Sequence, residues 1–188
     1  MNPLRTFFVV LVILGTFARP VVRAETSVTG SGGYVDGAVF RALVDDTQDV
    51  VEINLDGAIL QALAKSKSED RDADDAKDLF ARLKSIHAVI GTVKGPAAEA
   101  LALVKKTDQK LVAAGWQRVT RISDATSTIT LLTHTVAGHV DGLVALIFDS
   151  EDKELVFANL AGEIDIKQLG KIGERLKVPG LDQVPGAR

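Results

Sequence analysis

Between residues 116 and 161 the apolar side chains recur at every second position, and no other feature narrows the possible folds of this chain as much. Four stretches, 116–123, 128–135, 140–149 and 154–161, alternate in this way and are separated by short connections. A period of two marks strands, and connections this short join antiparallel neighbours. The third stretch is apolar on both faces, with Val144, Leu146 and Phe148 on one and Leu143, Ala145 and Ile147 on the other. A strand of that kind is buried from both sides. The cover is a helical layer, a partner, a second copy or an apolar ligand.

Upstream of residue 116 the pattern is mixed. Residues 50–55 (VVEINL) alternate as a strand and are ended by Asp56-Gly57. Asp56 is placed to cap a helix from Ala58 to Lys65 that buries Ile59, Leu60 and Leu63. After an acidic stretch, Leu79, Phe80 and Leu83 form the stripe of a second helical segment, and 86–93 (IHAVIGTV) reads as a strand. Gly95-Pro96 opens a longer helix with Ala100, Val104, Leu111 and Ala114 near one face, and Gly115 suits its C-terminal cap. Asp165 and Gln168 have the spacing of a capping box, which predicts a last helix carrying Leu169, Ile172 and Leu176. Strands cluster late and helices do not alternate with every strand. The pattern therefore predicts an α+β fold, a largely antiparallel sheet of about six strands with helices packed on one face.

The first 24 residues read as an address rather than as part of the fold. Arg5 gives a positive start, residues 6–18 are an uncharged apolar run, and Val22-Arg23-Ala24 offers a cleavage point before Glu25. The run is about 13 residues long, short of the ~20 needed to span a bilayer. The organisation expected is a signal peptide over 1–24, a flexible arm and short helix over 25–48, one domain over 49–182 and a tail over 183–188. Removing the leader takes Arg5, Arg19 and Arg23 from the 22 basic residues, leaving 19 against 25 acidic ones. That balance argues against nucleic-acid binding, which needs clustered cations, and against adhesion to anionic membranes. The chain has no cysteine, which removes disulfides, thiolate metal sites and thiol nucleophiles.

Five segments resemble an exported bacterial family, domain of unknown function 4252. They are VEINLDGAIL (51–60), LKSIHAVIGTV (83–93), AAGWQRVTRI (113–122), HVDGLVALIFD (139–149) and LVFANLAGEIDIKQLGKIGERLKVPGL (155–181). The resemblance implies export to the periplasm or a lipid anchor, although the cysteine such an anchor needs is absent here. It carries no catalytic residue across.

Several constellations are candidates for chemistry. Asp70, Asp72 and Asp74 alternate like the first ligands of a calcium loop, but Asp75 stands where the loop needs Gly and Ala81 where it needs a bidentate Glu. The bland reading is a charged, solvated loop. His134 and His139 flank residues 135–138, read as a four-residue turn, with Asp141 on the same face as His139. Two imidazoles and a carboxylate can hold zinc with an open position, so His134, His139 and Asp141 are the weak metal candidates. His87 has no partner visible in sequence. Asn159 interrupts an apolar strand face shared by Leu155, Phe157 and Ala161, where it must be hydrogen-bonded or wet. Arg118 and Arg121 fall on opposite faces by simple alternation, with Arg118 close to Trp116.

No cofactor motif is present. The reading that follows is an exported, periplasmic or envelope, non-catalytic binding or sensing domain whose partner is an envelope protein or a second copy. The alternative is a carrier of a small apolar ligand, and behind it a metal-dependent hydrolase.

Overall fold

Six strands build one antiparallel sheet: β1 (Val50–Asp56), β2 (Leu83–Thr92), β3 (Gln117–Ser123), β4 (Ser127–Val136), β5 (His139–Asp149) and β6 (Glu154–Ile164). Their order is β1-β2-β6-β5-β4-β3, so a four-strand meander is closed onto β2 by its last strand. Among the described residues four helices accompany them: α1 (Ala38–Arg41), α2 (Gly57–Ala64), α3 (Arg71–Arg82) and α4 (Ala97–Ala113). The fold is α+β. The computed structural model describes residues 32–66 and 71–165, the side chains of 71–76 excepted. The expected leader, the last helix beyond Asp165 and the tail lie outside the described residues.

Local chemistry explains most boundaries. The Asp56 carboxylate accepts the backbone N–H groups of Ala58 and Ile59 at 2.9 and 3.0 Å, satisfying donors that α2 leaves unpaired. Asp124 and Asp149 do the same for the turns that follow β3 and β5. The β4–β5 turn is only Ala137-Gly138, with φ of 50° and 83°. Two successive positive φ values match the twist of the flanking strands, so β4 runs on to Val136 and the four-residue turn read from sequence shortens to two.

One face of the sheet, here called the front, carries the main core. Val89, Leu155, Phe157, Val144, Leu146, Phe148 and Leu132 pack there against Ala100, Val104 and Leu111 of α4 and against Trp116. Burying each large side chain of this kind contributes about 1.5–3 kcal/mol. Residues 33–44, read from sequence as the end of an arm and a short helix, add Phe40 and Val44 to that core, both fully buried. Phe40 stacks on Phe157 with ring centroids 4.7 Å apart. On the back face Ala88, Ile90, Val156, Leu143, Ile147 and Leu131 are buried as well. Helices α2 and α3 pack on each other; α2 touches β1 and β2, and α3 touches β6. Among the described residues no helix is long and apolar enough to cross a membrane.

Candidate functional site

A histidine and a carboxylate meet on the sheet at a bulge. His134 faces Gly142 and Thr135 faces Val140, so Asp141 has no cross-strand partner on β4, and the ladder to β6 slips at the same place. An extra residue re-aims side chains locally. Here the Asp141 carboxylate meets the His134 ring, with Oδ1 2.6 Å from Nδ1. Both side chains are mostly buried, 19% and 25% exposed. The Trp116 ring lies 5.3 Å from the imidazole at a tilt of 46°. Gly32 passes over the pair so closely that a β-carbon there would stand 2.9 Å from His134 Cε1. A carboxylate on Nδ1 fixes the orientation of the ring and leaves Nε2 as its remaining functional nitrogen.

His139 does not join this pair. It stands exposed opposite Val136, and among the described residues no three His, Cys, Asp or Glu side chains form a group that could hold a metal. Of the three metal candidates the fold unites His134 and Asp141 and leaves His139 apart. The two-residue turn is the reason, because it sets His139 against Val136. The calcium-like spacing fares differently. Asp70 lies outside the described residues, while Asp72 and Asp74 fall within α3, whose helix starts at Arg71 rather than beyond an acidic loop.

His87 meets Tyr34 edge to face, with ring centroids 5.9 Å apart. Burial pushes the Tyr34 phenol above its ordinary pKa, and the nearby Asp36 charge adds to the effect. Asn159, fully buried, uses its whole amide. Its Oδ1 accepts the Val35 N–H at 3.0 Å, and its Nδ2 donates to the Gly33 and Leu143 carbonyls at 2.9 and 3.1 Å. It is a structural clasp that ties residues 33–35 across β5 and β6. The fit beneath is close: a β-carbon on Gly33 would overlap the Asp141 carbonyl oxygen, and one on Gly142 would lie 2.4 Å from Gly33 Cα. Only glycine allows the two backbones to approach in this way.

Arg118 and Arg121 require a correction. Arg118 faces Leu132 and Arg121 faces Thr130, positions two apart on β4, with the register slipping between Arg118 and Thr120. The bulge at Val119 therefore puts both arginines on the front face, where alternation alone would separate them. Arg118 grips Asp108 of α4 through three hydrogen bonds of 2.8–3.0 Å. Asp108 is buried, a role not read from the sequence. The signal was there, since Asp108 sits between Val104 and Leu111 on the inward stripe of α4. Ser85, also buried, has a hydroxyl with no hydrogen-bond partner among the described residues.

The family model described as Domain of unknown function (DUF4252) matches residues 43–172. This chain belongs to the DUF4252 family. No curated protein and no solved structure matches it. The DUF4252 match takes in His134, Asp141, Asn159 and both edge strands, while Gly33, Val35 and Phe40 stand ahead of its first residue.

Proposed function

We propose that this DUF4252 protein is exported and serves in the cell envelope as a non-catalytic docking domain that engages its partner through a sheet edge. Export is supported by the leader pattern of residues 1–24. The observation that carries the docking role is the pair of open edges. β1 and β3 end the sheet, and among the described residues no backbone hydrogen bond runs outward from 50–56 or 117–123 to further chain. Such edges recruit extended segments by completing their main-chain hydrogen bonds. The His134–Asp141 pair is read as the brace of the β4–β5 bulge, locking Trp116 and the residues above it.

Fractionation with N-terminal sequencing tests the first half. The chain is expected in the envelope fraction beginning at Glu25, and recovery in the cytoplasm with Met1 intact overturns export. A photo-crosslinker in place of Ile122 tests the second half, with capture expected at that edge. A substrate turned over in an activity screen, with turnover lost in His134→Ala, overturns the non-catalytic reading.

A further inference from the structure

The two open edges differ in charge and agree in pattern. On β1, Glu52 faces Val89 and so lies on the front face, while Val51 and Ile53 face Ile90 and Ala88 on the back. On β3, Arg121 faces Thr130 on the front, while Thr120 and Ile122 face Leu131 and Ile129 on the back. Asp45, Asp46 and Asp49 leave the approach to β1 acidic on balance, with Arg41 bridging Asp46 and Glu52. Among the described residues Arg121 has no ion-pair partner, and Ile122 is 40% exposed. Every neighbouring pair in the sheet is antiparallel, so the six-strand order leaves β1 and β3 running in opposite directions. A second copy continuing the sheet would therefore present its β3 antiparallel to β1.

We propose that the partner of the β1 edge is the β3 edge of a second copy of this chain, joined in one register that pairs Glu52 with Arg121 of the next copy. The proposal rests on the edge-docking reading and names its partner. In that register Val50 meets Ser123, Val51 meets Ile122 and Ile53 meets Thr120 of the next copy. The front face gains an opposite-charge pair and the back face an apolar one, each the kind of cross-strand pair that stabilises a ladder. Glu52 is held in place by its own chain: Arg41 Nε donates to its Oε2 at 2.9 Å in an ion pair, and Asn54 to its Oε1 at 2.9 Å. A carboxylate retains further acceptor sites after two such bonds.

The alternatives are less favourable on charge. Joining β1 to β1 sets acidic segments side by side, and joining β3 to β3 does the same with arginines. The bulge at Val119 confines the new ladder to residues 120–123, about 13 Å of strand. The contact is short, so assembly is weak, concentration-dependent and screened by salt. It is also head-to-tail, which propagates until a ring closes or continues as an open chain.

Sedimentation of the exported protein on serial dilution, at low and high salt, tests this. Mass is expected to rise with concentration and fall with salt. Glu52→Arg alone and Arg121→Glu alone are each expected to weaken association by about tenfold, with the circular dichroism spectrum unchanged and, for Arg121→Glu, the melting temperature as well. An equimolar mixture of the two variants is expected to reassemble, because each then offers the charge the other lacks. A wild-type protein that stays monomeric overturns the proposal, as does a mixture that fails to recover. A monomer that still cross-links an envelope protein through position 122 overturns self-pairing alone and leaves the docking reading standing.

Discussion

The centre and the border of the front face are held by different physics. Over β5 and β6 the chain is fixed by lack of clearance, with Gly33 lying on Gly142 and Asn159 closing three hydrogen bonds in a fully buried site. At the border, every residue of β3 except Thr120 is exposed, and the strand is tied to α4 by the Arg118–Asp108 ion pair. The centre depends on shape and on completed hydrogen bonds, which water and salt do not reach. The border depends on charge, which they do. A single methyl group should therefore do more harm at the centre than the loss of a whole guanidinium does at the border.

Gly142→Ala is the sharpest attack on that contrast. With Gly33 Cα 2.4 Å from the new β-carbon, the arm must lift, and urea unfolding should show a loss of about 3 kcal/mol. A loss no larger than that of an ordinary surface change would mean that the arm contributes little. Asn159→Ala comes next. It strands the Val35 N–H and two carbonyls in a dry site, at a cost of about 2 kcal/mol, and amide exchange at Val35 should quicken. Arg118→Ala should cost less, about 1 kcal/mol, because Arg118 is 32% exposed although Asp108 is only 7% exposed. Raising the salt concentration should shrink the Arg118 effect and leave the Gly142 effect alone, and the reverse result would break the comparison.

Asp124 provides the smallest effect and tests pH. The backbone N–H groups of Thr126 and Ser127, and then the Ser127 hydroxyl, hold its carboxyl below the ordinary carboxylate pKa. A depressed folded value means that the stabilisation is fully present above the unfolded pKa of about 3.9 and is lost as pH falls through the lower folded value. Asp124→Asn should therefore be slightly less stable than wild type at neutral pH, and the difference should close in acid. Parallel curves at every pH would show that the turn gains nothing from the charge.

What the sequence revealed was local. Asp56 as a cap, the long helix after Pro96 and the alternation of the four late strands need only near neighbours, and all appear within a few residues of where the pattern put them. The bulges at Val119 and Asp141 were not legible. A one-residue slip is decided by what the opposite strand and the chain above require, and a run such as QRVTRIS looks equally regular with or without it. The separation of Arg118 from Arg121 rested on unbroken alternation and failed at the Val119 bulge, whereas the grouping of His139 with His134 rested on a four-residue turn and failed because the turn has two residues. Asn159 could be recognised as a buried amide in need of partners, but its partners Gly33 and Val35 are 126 and 124 positions away.

That separation bears on when the protein can finish folding. The segment Gly33 to Phe40 has its seat on strands made more than a hundred residues later, and nothing shorter than the chain through Asn159 can complete the clasp. Closing so long a loop is entropically slow. A nascent polypeptide would thus carry Gly33 to Phe40 unseated until the residues through Asn159 had been made.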